Sequence, residues 1–452
     1  MKIMQVVHCF PPEPMGGTER VAAALTGELA RRGHELQVVA GSLEWQRGAG
    51  VSREEWEGIP VTRIRRDDPW FDRWDNGWNP EVEGAFRQEL RRVRPDLVHI
   101  HHWLRLTRGL VRICAAEGIP ALVQLHDFQA TCPRTFRLVE GGEICRLPAG
   151  VDRCLGCVER WPFQGDQEVR RQLDHYLRDM ANELVQAQAR LALSRAQAEL
   201  LAAVLPGEAG SIDILPAPSP SVLRPRATTP PGEALRLVHW GNLYDLKGVG
   251  ELIEAVGWAA GEIPVRLDIY GEATEPGFAR ELEEKAAGKP VTLHGSYRRE
   301  ELEEVAADLA VFPSRCWETY GLVVDEAFML GLPVVVTRAG ALPERIGAGG
   351  LAIAPGDMTE LARVILRLGR DREELARLAG GVGKCWTTAA EAAHRAEGLY
   401  EEILAGRRRS SPPLDPVTGE ERLLLHWFIA SARLASLAGS PVASPPPWRE
   451  EE

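Results

Sequence analysis

Lysine is nearly missing from this chain. There are five, at positions 2, 247, 285, 289 and 384, among 53 basic residues. Arginine carries almost all of the positive charge, so a lysine inside a motif stands out. Positive charge is also not in excess. The net charge is -12 and the isoelectric point about 5.6, which excludes binding to nucleic acid by bulk charge. No stretch approaches the 18 or so consecutive apolar residues of a membrane-spanning helix. The opening MKIMQVVHCF has only a short apolar run, which contains His8 and meets Pro11-Pro12, so it lacks the form of a secretory signal. A cytoplasmic protein is expected, without a membrane span, though peripheral contact with the inner membrane face stays open. No D-x-D occurs, so no catalytic divalent metal bridging a diphosphate is expected. G-x-G-x-x-G is also missing from the first strand–helix turn, which argues against a dinucleotide-dependent dehydrogenase.

What is present reads as alternating strands and helices. Residues 3–9 form a buried apolar run, a helix follows over about 21–32, Gly33 stops it, and 35–40 is the next strand. Such a βαβ opening predicts a doubly wound α/β sheet. The turn between them carries Gly16-Gly17, with Thr18 as a helix cap and Glu19 in the first turn. The glycines either make a tight turn or let a ligand approach the backbone. A strand at 121–127 ends in His126-Asp127, and carboxyl ends of parallel strands are where such sheets bind ligands. Trp70, Trp74 and Trp78 lie in a Pro- and Gly-broken loop. They could stack on sugar rings or pin the loop down.

The pattern starts again after a Pro-rich linker at 218–233. A strand LRLVHW leads to Gly241-Asn242, then Lys247-Gly248 before the next helix. Lys247 at a helix start can pair with diphosphate oxygens. The densest stretch is Pro313 to Pro343. It carries Glu318 and Glu326 eight apart, with Tyr320-Gly321 breaking the chain before a helix that starts at Leu322. The free amides of that helix start suit an anion, Glu326 one turn in could accept from a ribose diol, and Glu318 outside could hold sugar hydroxyls.

Pro313-Ser314, Glu318, Glu326, Gly331-Leu332-Pro333-Val334-Val335 and Gly340-Ala341-Leu342-Pro343-Glu344 together resemble the signature of retaining glycosyltransferases of the GT-B type, family four. The resemblance covers about residues 1–405. It implies two Rossmann-like domains facing a cleft: residues 1–217 on the acceptor side, 234–387 binding the nucleotide sugar, a helix at 388–405 crossing back, and a tail at 406–452. It implies a donor that is a UDP-, GDP- or ADP-sugar, with UDP the expected base. The acceptor would be a carbohydrate, a lipid-linked molecule or a small molecule. His126, Lys247 and Glu318 become the expected catalytic residues. Gly16, Gly17, Gly241, Asn242, Lys247, Gly295, Tyr320, Gly321, Leu322 and Glu326 become the expected donor contacts. Asn242 departs from the family pattern, which has Arg there, so one diphosphate cation is missing or supplied elsewhere.

Between residues 129 and 162 lies an insertion holding Cys132, Cys145, Cys154 and Cys157, half of the chain's eight cysteines. A C-x-x-C with two more cysteines nearby reads as a metal site. Structural Zn²⁺ is the expectation, with an iron–sulfur cluster, a labile disulfide or plain thiols as alternatives. Two rival functions remain open: another enzyme on this fold, such as a sugar-nucleotide epimerase or a phosphorylase, or a catalytically silent partner protein. Oligomeric state is not readable.

Overall fold

The computed structural model describes residues 1–424 apart from 15, 69–72, 140–141, 162–163, 206, 208–209, 220–221, 226–232 and 274. The chain divides into two compact units. One takes Met1–Pro220 and the described residues from Thr387 onward; the other takes Ser221–Trp386.

The first unit is built on β1 (Lys2–Val7), β2 (Glu35–Ala40), β3 (Gly50–Trp56), β4 (Ile59–Arg65), β5 (Leu97–Ile100), β6 (Ala121–Leu125), β7 (Ala189–Ala192) and β8 (Asp213–Ile214). They form one sheet in the order β3-β4-β2-β1-β5-β6-β7-β8. All pairs are parallel except the β3–β4 hairpin. That hairpin has no counterpart in the sequence reading, because its outer strand carries SREE and gives no apolar alternation. Helices α1 (Gly17–Arg31), α2 (Pro80–Val93), α3 (Leu110–Ala116), a short α4 (Val151–Cys154), α5 (Asp166–Gln186) and α6 (Arg195–Val204) connect the strands. β5 and β6 are buried at every position, as strands covered on both faces must be.

The second unit repeats the scheme. It has β9 (Pro218–Ser219) just before it, then β10 (Leu235–Trp240), α7 (Val249–Ala259), β11 (Val265–Tyr270), α8 (Pro276–Ala286), β12 (Val291–Leu293), β13 (Leu309–Phe312), α9 (Leu322–Met329), β14 (Val334–Thr337), α10 (Leu342–Arg345), β15 (Gly350–Ile353), α11 (Met358–Arg370) and α12 (Arg372–Gly380). Its six strands are all parallel, in the order β12-β11-β10-β13-β14-β15.

Part of the expected linker is structured. β9 pairs in parallel with β16 (Thr387–Thr388), which leads into α13 (Ala389–Leu404). Helix α13 lays Ala392, Ala393, Ala396, Tyr400 and Ile403 into the core beneath β1 and β2, and a Thr388–Glu391 capping box starts it.

The basic run after α13 is tied to the first unit. Arg408 pairs with Asp213 and Glu402. The Ser411 amide donates to the Val185 carbonyl (2.9 Å) and the Leu414 amide to Asn182 Oδ1 (2.8 Å). Arg178 reaches Asp415 and Glu421, and Arg422 forms a buried ion pair with Asp179. Arg422 and Arg408 thus find carboxylates on α5 and β8. The apolar stretch at 420–437 lies mostly outside the described residues.

Candidate active site

In the first unit the carboxyl ends of β1, β5 and β6 gather five histidines. His126 follows β6, and its Nε2 lies 2.9 Å from His101 Nδ1. His101 Nε2 lies 2.8 Å from the Gln5 oxygen. That oxygen can only accept, so His101 donates from Nε2 and receives the His126 proton at Nδ1. His102 Nε2 meets Asp127 at 2.9 Å and its Nδ1 accepts from the Leu104 amide. His8 Nε2 donates to Glu19 at 2.8 Å, and its ring lies 4.4 Å from that of His102. Burial holds four of these rings neutral: His8 is lowered to about 4, His126 and His99 to about 3, and His101 well below its ordinary value.

Glu19 ties this cluster to the Gly16-Gly17 turn. Gly16 caps α1, and its amide donates to Glu19 Oε2 at 3.0 Å. Burial opposes the Glu19 charge, but the His8 and backbone donors outweigh it and hold the carboxyl down at about 2. Gly17 begins the helix.

In the second unit, β10 ends at Trp240 and the chain turns at Gly241 (φ 132°). Lys247 closes a short 3₁₀ turn and Gly248 (φ 70°) starts α7. A Cβ on Gly248 would fall 2.2 Å from the Pro313 carbonyl oxygen, so this turn can pack on the 313–318 loop only with glycine there. The contact brings Lys247 Nζ to 2.6 Å from Glu318 Oε1, and Ser314 Oγ donates to the same oxygen at 2.7 Å. Burial disfavours both charges, yet each raises the ionisation of the other: Lys247 is shifted up and Glu318 down. The Glu318 backbone is clamped as well. Its carbonyl accepts from the Ala341 amide at 2.8 Å.

Glu326 lies inside α9 with both carboxylate oxygens engaged. Oε2 accepts from Trp240 Nε1 and Oε1 from Arg299 Nε, each at 2.7 Å. Each oxygen keeps a second lone-pair direction. Sequence reading missed Arg299 and Trp240, since neither belongs to the motif. Arg299 follows Arg298 directly, and nothing in its spacing marks it. Gly321 (φ 87°) precedes α9, and Leu322 is its first residue.

Asn242 and Gly295 are exposed. Tyr320, expected as a donor contact, is 3 % exposed and its ring lies under the Arg345 guanidinium at 3.6 Å. Its side chain therefore belongs to the core with the buried Asp325–Arg345 pair. Trp74 is buried, edge-on to Tyr176, and donates to the Glu159 carbonyl at 2.8 Å, so it pins its loop. Trp78 donates to Glu83 at 2.6 Å. Trp70 lies outside the described residues.

The four insertion cysteines are free thiols. Cys154 feels the charges of Cys157 and Cys145, and Cys132 that of Cys154, while burial raises both Cys132 and Cys154. They are neighbours, but among the described residues no three His, Cys, Asp or Glu side chains are gathered as metal ligands. What binds the insertion instead is Arg137. It is 1 % exposed and donates to the carbonyls of Cys145 (2.9 Å), Thr131 (2.7 Å) and Leu147 (2.5 Å).

Two parallel-sheet α/β units, one with a cationic turn against a buried glutamate and the other with a strand-end histidine cluster, define the GT-B class of glycosyltransferase. Residues 15–218 match the model of Glycosyltransferase Family 4, and residues 234–371 that of Glycosyl transferases group 1. The chain belongs to this family of glycosyltransferases. It is 28 % identical over 338 residues to a D-inositol 3-phosphate glycosyltransferase of Streptomyces bingchenggensis, covering 70 % of this chain and 68 % of that one. It is 26 % identical over 385 residues to a glycogen synthase of Mycobacterium tuberculosis, covering 81 % and 85 %. Among solved structures, sucrose-phosphate synthase from Thermosynechococcus elongatus matches with TM-score 0.63 and 18 % identity, over 90 % of this chain and 100 % of that one. The Anabaena protein HepE in complex with UDP and glucose matches with TM-score 0.57 and 17 % identity, over 90 % and 99 %. No helix among the described residues is long and apolar enough to cross a membrane.

Proposed function

We propose that this glycosyltransferase moves a sugar from a nucleoside diphosphate sugar, with UDP as the expected base, to an acceptor hydroxyl with retention at the anomeric carbon. The observation that carries the reading is the Lys247–Glu318–Ser314 cluster at the start of α7. A buried lysine opposite a carboxylate can transfer its charge to a diphosphate when the donor arrives, which frees Glu318 to accept from sugar hydroxyls. The amides that begin α9 after Gly321 add positive potential for the same leaving group. Glu326, oriented by Trp240 and Arg299, is placed to accept from the ribose diol. In the reaction the anomeric carbon–oxygen bond to the diphosphate breaks as the acceptor oxygen bonds the same carbon on the same face. The acceptor proton leaves with the diphosphate. His126, neutral and held by His101, can orient the transferred sugar but cannot serve as a cation there.

The test is nucleotide release from a panel of UDP-, GDP- and ADP-sugars, followed by NMR assignment of the product's anomeric configuration. Inversion would overturn retention. Tight donor binding with no turnover under any acceptor would favour the silent-partner reading.

We propose further that the cysteine quartet takes a structural Zn²⁺. Its support is the shared insertion, the four neighbouring free thiols and the C-x-x-C spacing. A four-thiolate ion has no open position, so it would stabilise the loop and not activate water.

A further inference from the structure

A line of buried polar groups runs through the first unit and ends on His126. Gln5 sits in β1, Gln124 in β6, His99 in β5 with His101 just beyond it, and Tyr400 in α13. None of these five residues is more than 1 % exposed. Gln124 donates from its amide group to the Leu215 carbonyl at 3.3 Å. The Tyr400 hydroxyl lies 2.8 Å from His99 Nδ1, and Gln5 Oε1 lies 2.8 Å from His101 Nε2. His101 Nδ1 lies 2.9 Å from His126 Nε2.

A backbone carbonyl can only accept, so Leu215 fixes which way the line points. The Gln124 amide group is turned to it, and the Gln124 oxygen is left for His99. That oxygen favours the protonated His99 ring, as an acceptor does. The His99 proton therefore lies on Nε2, and Nδ1 accepts from the Tyr400 hydroxyl. The lone pairs of that hydroxyl are then what Gln5 meets. Gln5 favours the ionised phenol, as a donor does. Its amide end is turned to Tyr400 and its oxygen to His101. His101 donates to that oxygen and takes the His126 proton at Nδ1, so His126 ends the line with its proton on Nε2. Two joints, His99 to Gln124 and Gln5 to Tyr400, are longer than a hydrogen bond. They act through the field between dipoles, which burial strengthens.

The line has a reversed setting. With the Gln5 amide group towards His101, that ring would accept at Nε2 and donate from Nδ1, and the His126 proton would move to Nδ1. Burial keeps all three rings neutral, so protonation erases neither setting. A given nitrogen of a neutral imidazole accepts in one tautomer and donates in the other. Which of the two a substrate group meets at His126 is thus decided by residues buried out of its reach.

We propose, resting on the glycosyl-transfer reading above, that Gln5, Tyr400 and Gln124 are positioning residues for the reaction. Through His101 they hold His126 as the tautomer protonated on Nε2. None of the three acts on a reacting atom. Helix α13, which comes last in the chain, thereby takes part in setting the chemistry of a strand end in the first unit.

Nitrogen NMR of the full chain labelled with ¹⁵N-histidine reads the tautomer directly, with His126 assigned by its loss in His126→Gln. The wild-type ring should carry its proton on Nε2; a proton on Nδ1 would overturn the proposal. Gln5→Met removes the acceptor and should populate both tautomers. Tyr400→Phe should do so to a smaller extent, because Gln5 and His101 still face each other. Gln5→Glu, which keeps an acceptor towards His101, should restore the single tautomer. Turnover in Gln5→Met should fall by about tenfold or more, as when the partner that orients a functional histidine is lost. UDP affinity, read by calorimetry, should hold. An unchanged tautomer in Gln5→Met or in Tyr400→Phe would overturn the proposal, whatever happens to melting temperature, since a merely structural role moves only the latter. Should Gln5→Met fail to fold, the wild-type spectrum and Tyr400→Phe decide. A tautomer that follows Gln5 in a chain releasing no nucleotide from any donor would leave the relay standing and remove the catalytic reading instead.

Discussion

Lys247 and Glu318 are 71 residues apart in the chain and 2.6 Å apart in the fold. Each was visible as a motif residue; their pairing was not, because it depends on Gly248 letting one turn rest on the Pro313 carbonyl. The pairing changes what a mutation reports. Lys247→Ala should lower donor turnover several hundred-fold, worth roughly 3–4 kcal/mol for a lost charge contact in a desolvated site. It should also destabilise the fold by about 3 kcal/mol, since it leaves a buried carboxylate unpaired. Adding Glu318→Gln should recover stability but not turnover, as read by denaturant melts beside nucleotide release. A second lysine-free variant with full activity would remove Lys247 from the site. Glu326→Gln should weaken nucleotide binding, and Arg299→Ala should imitate it by releasing the same carboxylate. Glu318→Gln should chiefly slow transfer. Calorimetry showing equal losses of nucleotide affinity for Glu318→Gln and Glu326→Gln would contradict this division.

The histidines set a pH dependence at the same scale. His8, His99, His101 and His126 have pKa values lowered by burial from an ordinary 6.5. Above that value both folded and unfolded chains carry them neutral, and their contribution is complete. As pH falls through 6.5 the unfolded chain takes up protons that the folded chain refuses, so stability drops until the folded values near 4 and 3 are reached. By about pH 5 each such ring costs roughly 2 kcal/mol. Melting temperature should therefore fall steeply between about pH 6.5 and 5, before most carboxylates titrate. A flat profile over that range would show the rings to be solvated.

At the scale of elements, the parallel strands and their helices were readable because apolar runs of four to six residues alternate with amphipathic stretches. The β3–β4 hairpin was not, and neither was the ordered segment after α13, whose ion pairs reach residues 195 and 243 positions away. The insertion at 129–162 shows the limit more sharply. Its cysteines suggest a metal, yet the side chain that visibly holds it is Arg137, an arginine with nothing in its spacing to mark it. Protein purified without added metal should carry about one zinc per chain. Chelation should expose the insertion to proteolysis while leaving donor binding intact, because the Lys247–Glu318 cluster belongs to the other unit. Four freely titratable thiols with no metal by elemental analysis would leave the insertion held by Arg137 and by hydrogen bonds such as Trp74 to the Glu159 carbonyl. A brown colour would select the iron–sulfur alternative.

At the scale of the whole molecule, the first unit is closed by chain that comes after the second. Removing residues 407 onward should cost about 3–5 kcal/mol in the first unit, chiefly through the buried Arg422–Asp179 pair. Tyr400→Phe should cost about 1–3 kcal/mol, because its hydroxyl lies 2.8 Å from the buried His99 ring. Unchanged unfolding midpoints in both variants would show the returning segment to be decorative.

That discontinuity also fixes an order of events during synthesis. Ribosomes deliver the chain from its first residue, and domains generally fold as they emerge. The stretch from Ser221 to Trp386 is complete in itself and can collapse as soon as it clears the exit tunnel. The eight-stranded sheet cannot. It must wait, with the floor beneath β1 and β2 uncovered, until α13 arrives to fill it. The nascent half-built unit thus exposes apolar surface for the whole time its partner is being translated, which makes it the part of this protein that needs a chaperone.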